Sequence, residues 1–159
     1  MRVCILGNGL SGLTLAKALV NLKIFVDVTS SKKSFQLNKS RTLGISKSNL
    51  EFFNNKIINI DKIIWKLKKI EIFTDNLRNE KLLNFESNNE QLFSIVKNYH
   101  LDKILVKSLT GSKFFKKTRL KTNLIISGNY DLIVNTDYSN PITKKYFNKK
   151  IEKTYNSLA

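Results

Sequence analysis

Residues 7–12 read Gly-Asn-Gly-Leu-Ser-Gly, preceded by the apolar run Val3 to Leu6 and followed by an amphipathic stretch that opens at Leu10. That order predicts strand, glycine turn and helix. The apolar run has the length of a buried strand, and Leu10, Leu13, Leu15, Ala18, Leu19 and Leu22 return at helical spacing. Ile24 to Val28 then reads as a second buried strand, which makes the first thirty residues a βαβ unit. Two parallel strands joined in this way need a sheet covered on both faces, so the turn fixes the fold class as α/β. In such a turn the first glycine permits the tight bend, the second lets backbone approach a pyrophosphate, and the third packs helix against strand. Gly7, Asn8, Gly9, Leu10, Ser11 and Gly12 are therefore candidate dinucleotide-binding residues, with Ser11 and Thr14 as added hydroxyl donors. Free N–H groups and the positive end of the helix dipole would hold the anion there without a charged side chain. A purely structural strand–turn–helix is the competing reading.

Composition narrows the remaining classes. The 159 residues suffice for one domain with a core, and no apolar run reaches the roughly 20 residues of a membrane-spanning helix. The first strand follows Met1 within two residues and leaves no space for a signal peptide, so the expected location is cytoplasmic. Cys4 lies inside that strand and reads as a small core residue. With a single histidine, His100, and a single cysteine, the usual metal-ligand groupings cannot be assembled, and no metal site is expected. The formal charge of +16 invites a nucleic-acid reading. Its distribution argues otherwise: lysine is scattered from Lys17 to Lys153, without arginine clamps or regularly interleaved aromatics. Solvated lysine faces are expected, with no specific nucleic-acid partner; peripheral contact with an anionic inner-membrane surface stays open.

Further along, residues 30–40 read as a polar loop. Ser46 reads as an N-cap, with Leu50, Phe53 and Ile57 on one face of the helix that follows. Lys68 to Thr74 and Glu80 to Phe85 alternate apolar and polar residues around Asp75-Asn76 and Asn79, the pattern of an antiparallel hairpin. Phe93 to Lys97 predicts a strand, and Leu101, Ile104, Leu105 and Leu109 a helix that ends near Gly111. Lys113 to Lys117 and Asn123 to Ser127 are candidate strands. After a Gly128-Asn129 turn, Tyr130 to Val134 reads as a buried strand, and Pro141 to Asn148 as a short helix. Trp65 is expected to pack near the hairpin, and His100 to lie at a helix start on the surface without a catalytic role.

Four segments together resemble the single-component FAD-dependent aromatic hydroxylases, in particular the ubiquinone-biosynthesis subgroup. They are Val3 to Gly12, Ser40-Arg41-Thr42-Leu43-Gly44-Ile45-Ser46, Asn98 to Leu109, and Asp131-Leu132-Ile133-Val134-Asn135-Thr136-Asp137. The resemblance covers only the N-terminal part of that family's length, and the later Gly-Asp flavin motif has no counterpart. It implies a Rossmann-like FAD-binding domain with a GxGxxG βαβ unit and a parallel sheet, discontinuous over residues 1–62 and 93–152. An antiparallel hairpin at 63–92 would come from a largely missing substrate domain, with 153–159 opening the truncated continuation.

The same resemblance implies FAD as cofactor, NAD(P)H as reductant and a small aromatic or quinone-precursor substrate, with the fragment alone inactive. By position, Gly7, Gly9 and Gly12 would hold the pyrophosphate, Arg41 would lie beside the cofactor, and Asp137 would match the aspartate of the family's Asp-Gly motif. Arg41 as an ordinary loop residue and Asp137 as a cap for the helix near Pro141 are the alternatives. There are departures. Thr29-Ser30 stands where the ribose-binding acid is expected, with Asp27 out of phase, Tyr138 replaces the Asp-Gly glycine, Lys144 alone retains a nearby basic residue, and Tyr99 replaces an arginine. Ser30 is then a candidate at the adenosine end. Ser30-Ser31-Lys32-Lys33 also suits a 2′-phosphate, which makes an NADP-binding protein one alternative. A truncated remnant that binds an anionic partner is another.

Overall fold

The structure, a computed structural model, describes residues 1–30, 38–74, 81–86, 91–119, 125, 128–137 and 139–146. The chain begins with β1 (Arg2–Leu6), α1 (Leu10–Asn21) and β2 (Phe25–Thr29), the predicted strand, helix and strand. β3 (Thr42–Ser46), α2 (Lys47–Lys56) and a 3₁₀ turn (Asp61–Ile63) follow, then β4 (Ile64–Leu67), β5 (Lys69–Phe73), β6 (Lys81–Glu86) and β7 (Phe93–Lys97). α3 (Asn98–Thr110), β8 (Phe115–Thr118), β9 (Leu132–Asn135) and α4 (Pro141–Tyr146) complete the described elements.

Four strands form a parallel sheet in the order β8-β2-β1-β9. Its central strand is dry: Val3, Cys4, Ile5 and Leu6 are all fully buried. Strand alternation sends Val3 and Ile5 to one face, where they join Val26 and Val28 under Leu13, Ala16 and Val20 of α1 and Leu101, Leu105 and Leu109 of α3. Cys4 and Leu6 face the other way and pack with Ile125 and Ile142. Each such aliphatic side chain contributes about 1.5–3 kcal/mol when taken fully from water, so β1 is the axis of the fold.

Three strands, β3-β7-β4, make an antiparallel sheet beside this core, and Ile45 and Val96 carry its contribution to the larger cluster. Gly44 is dictated by that sheet, since a Cβ there would sit 2.3 Å from Cε1 of Phe93. β3 and β4 extend the sequence expectation, because neither segment alternates cleanly enough to be read as a strand by itself. Ser46 caps α2 as expected, its hydroxyl accepting from the Asn49 N–H. α3 stops at Gly111, also as expected.

β5 and β6 pair only with each other, an antiparallel hairpin in the predicted place. Glu71 bridges Lys69 at 3.2 Å and also Lys81 across the strands, and these two ammonium groups, Lys81 first, hold its carboxyl below the usual range. Every residue of β6 is exposed. The turn residues Asp75, Asn76 and Asn79 lie outside the described residues.

Three expectations are corrected. Trp65 is 73% exposed: β4 is an edge strand, and this side chain turns away from the core. The strand expected at Tyr130 to Val134 runs Leu132–Asn135 and is half-exposed, with Leu132 at 46%, because it pairs with β1 on one side and has no described neighbour on the other. Of Asn123 to Ser127 only Ile125 is described. Its backbone is helical rather than extended, and its side chain is buried against the Cys4–Leu6 face. Among the described residues no helix is long and apolar enough to cross a membrane, and no group of His, Cys, Asp and Glu could hold a metal.

Candidate dinucleotide-binding site

The chain leaves β1 through Gly7, whose φ of +114° is a conformation that side chains with a Cβ rarely adopt. Its N–H donates to the Thr29 carbonyl at 2.8 Å, which ties the turn to the end of β2. On the other side Thr136 closes the turn: its N–H and its hydroxyl both donate to the Leu6 carbonyl, at 2.8 and 2.9 Å. The turn is thus clamped between the C-terminal ends of β2 and β9.

The three glycines then differ. A Cβ on Gly12 would fall 2.3 Å from the Gly7 carbonyl oxygen and 2.9 Å from Thr136 Oγ1. One on Gly7 would fall 2.6 Å from Thr136 Oγ1 and 3.2 Å from Asp137 Cβ. One on Gly9 would meet nothing within 4 Å. Gly7 and Gly12 are thus fixed by packing, whereas Gly9 borders open space. Gly9 is also the N-cap of α1, with no side-chain cap hydrogen bond and no acidic residue in the first turn. Backbone donors and the helix dipole face outward here, a setting that favours an anion. The open cradle at Gly9 fits a dinucleotide pyrophosphate.

Asn8 and Leu10 flank the cradle half-buried, and Ser11 is exposed. Beyond them a groove of about 560 Å³ runs along α1 toward β3, lined by Leu10, Ser11, Thr14, Leu43, Gly44 and Phe52 among others. Asp137 is brought to the turn from 130 positions away. Its Oδ1 accepts from the Ser139 N–H at 3.0 Å and from the Ser139 hydroxyl at 2.6 Å, which shapes the chain before α4. The side chain that caps α4 is Asn140, accepting from the Ile142 N–H at 3.1 Å, so the capping role considered for Asp137 belongs to its neighbour.

Arg41 stands apart. Its side chain is exposed, its backbone pairs with Asn38 and Asn98, and no hydrogen bond among the described residues joins it to the glycine turn. Ser30 follows β2 directly and is half-buried at the strand end. Ser31, Lys32, Lys33 and Tyr138 lie outside the described residues, as does the side chain of Lys144.

Asp27 is committed elsewhere. Only 4% exposed, its Oδ2 accepts from Arg2 Nη2 at 2.7 Å, from Arg2 Nε at 3.1 Å and from the Tyr130 hydroxyl at 2.7 Å. Burial, then the hydrogen bond to Asp27, push the Tyr130 hydroxyl well above its ordinary value. Cys4 is a core thiol as expected, pushed up to about 11 by burial first and the Asp27 carboxylate second, with Arg2 opposing. His100 is exposed at the start of α3. The sequence reading names Thr136 only as part of the Asp131–Asp137 segment and gives it no role of its own, although it stands one place before an aspartate already singled out; its hydroxyl closes the glycine turn.

Comparison with solved structures places this arrangement. PqsL, a probable FAD-dependent monooxygenase from Pseudomonas aeruginosa, superposes with a TM-score of 0.68 over 98% of this chain and 48% of its own, at 12% identity. A putative FAD-containing monooxygenase from Photorhabdus luminescens gives 0.65 over 93% and 42%, at 15% identity. The chain has the fold of the FAD-dependent monooxygenases. The p-nitrophenol 4-monooxygenase PnpA from Pseudomonas putida agrees, with a TM-score of 0.61 over 74% of this chain and 31% of its own, at 14% identity. The chain therefore spans less than half the length of these flavoproteins. No protein-family model matches it, and no curated protein matches it in sequence.

Proposed function

We propose that the chain is the N-terminal, FAD-binding portion of a flavin-dependent monooxygenase that hydroxylates a small aromatic ring, and that this ring belongs to a ubiquinone precursor. The observation that carries the reading is the contrast among the glycines: Gly7 and Gly12 are closed by packing, while Gly9 opens at the N-terminus of α1. A pyrophosphate that must approach backbone needs that contrast. The fold shared with FAD-dependent monooxygenases favours a flavin over other dinucleotides, and the name of one of them, a p-nitrophenol monooxygenase, supports an aromatic substrate.

On this reading residues 1–62 and 93–152 form the cofactor domain, the segment 63–92, which carries the β5–β6 hairpin and β4 paired to β7, leads to a substrate domain, and 153–159 continue toward it. Gly7, Asn8, Gly9, Leu10, Ser11 and Gly12 hold the pyrophosphate, Ser30 lies at the adenosine end, and Arg41 and Asp137 border the rest of the cofactor. Bound FAD, reduced by NAD(P)H, supplies the oxygen chemistry. The chain's own residues then bind and orient: the α1 N-terminus neutralises phosphate charge, and the apolar groove from Leu10 to Phe52 shields the cofactor from water.

The test is direct. The purified chain mixed with FAD should retain a flavin absorption band through gel filtration, and Gly9→Val should lose the band while its circular dichroism stays that of the parent. A parent chain that retains no flavin, and whose melting temperature does not move with FAD, would sink the proposal.

A further inference from the structure

The adenosine end of the cradle lacks its customary charge. In dinucleotide folds an acid about 20 residues after the glycine turn, at the end of the second strand, accepts from the ribose hydroxyls, and its negative charge disfavours a phosphate there. Here that place is taken by Thr29 and Ser30. Asp27, the nearby acid, is buried against Arg2 and Tyr130.

A lysine reaches the same end from the neighbouring strand. β8 runs parallel to β2 with Lys117 opposite Val28. Val28 is fully buried in the cluster under α1, so strand alternation puts Lys117 on the α1 face of the sheet, the face on which Gly9 opens the helix. A groove of about 300 Å³ lies there, lined by Asn8 of the glycine turn, Leu13, Val28, Val106, Phe115 and Lys117 among others. Its walls are mainly apolar, which suits the flat face of a purine, and Lys117 is exposed at its rim. Asp102 of α3 feels that ammonium: burial raises its carboxyl, and the Lys117 charge opposes the rise. The lysine's charge therefore lies between β8 and α3, where the groove runs.

We infer that Lys117 is a specificity-determining residue of the cradle, and that it selects an adenine dinucleotide whose ribose carries a 2′-phosphate. The inference rests on the dinucleotide reading above and adds to it a charge preference at the adenosine end. The end of β2 offers hydroxyl side chains and no carboxylate, and the lysine supplies the cation that a phosphate needs.

Isothermal titration of the 159-residue chain with NAD and NADP, which differ only in that phosphate, reads the preference directly. NADP should bind about five-fold more tightly than NAD, the scale of one exposed charge pair. Lys117→Gln should bring the ratio to about one while NAD and FAD affinities stay as in the parent. Lys66→Gln, at an exposed position on the edge strand β4, should keep the parent's ratio. Equal affinity for NAD and NADP in the parent overturns the inference. So does a preference that survives Lys117→Gln, or one that falls as far in Lys66→Gln, because it then comes from the overall charge of the chain. A parent that binds FAD but neither NAD nor NADP removes this inference and leaves the flavin reading standing. A parent that binds none of the three removes the dinucleotide reading, and this inference with it.

Discussion

β1 and β6 are both short apolar-rich strands, yet they end in opposite environments. Val3, Cys4, Ile5 and Leu6 are fully buried, whereas all six residues of β6 are exposed, Leu82, Leu83 and Phe85 among them. The difference lies in what covers them. β1 has strands on both edges and α1 and α3 across one face; β6 has β5 alone. A two-stranded ribbon is marginal in water, and this one is held by cross-strand pairing and by the Glu71 bridge to Lys69 and Lys81. Hydrophobic residues in sequence therefore state a capacity for burial, and neighbours decide whether it is used.

The largest effect that would sharpen this contrast is in β1. Ile5→Ala should cost about 3–4 kcal/mol in urea unfolding, the range for large-to-small changes in a close-packed core. A loss below about 1 kcal/mol would show that the parallel sheet is not the stable half. Gly12→Ala comes next: its Cβ would fall 2.3 Å from the Gly7 carbonyl, and about 2–3 kcal/mol of destabilisation is expected in the same measurement.

A third effect depends on pH. The Cys4 thiol is raised from 9.0 to about 11 in the fold. The unfolded chain loses its proton first, so the unfolded state binds fewer protons between these values and stability falls as pH rises through that window. The Cys4 contribution to this loss should reach about 2 kcal/mol by pH 11 and appear as the difference between parent and Cys4→Ala in denaturation across the range, because Tyr130, whose hydroxyl is also raised, lowers the stability of both proteins above pH 10. A parent and variant with parallel pH profiles would show that the thiol is not sequestered. The smallest effect belongs to β6. Leu83→Ser should change unfolding free energy by no more than about 0.5 kcal/mol, the usual range for exposed positions, while it lowers self-association in sedimentation. A cost comparable to Ile5→Ala would break the comparison.

Legibility followed the range of the interactions involved. α1, α2, α3 and the hairpin were readable because their signals are local: helical spacing from Leu10, a serine cap at Ser46, Gly111 after Leu109, and alternation on both sides of residues 75–80. Trp65, the edge exposure of Leu132 and the pairing of β3 with β7 were not readable, since each depends on which strand lies alongside. The site divides in the same way. Gly7, Gly9 and Gly12 announce themselves by spacing, whereas Thr136 over the Leu6 carbonyl comes from a distant part of the chain.

The sequence by itself determined that a strand, a glycine turn and a helix open this protein, because φ preference, apolar period and capping act over a few residues. Tertiary structure alone decided that Thr136 closes that turn from β9, and that the buried Asp27 carboxylate serves Arg2 and Tyr130 instead of a ribose. Those outcomes are set by packing and hydrogen bonding between segments more than a hundred residues apart, as Tyr130 to Asp27 and Thr136 to Leu6 show, and no local pattern encodes that closeness.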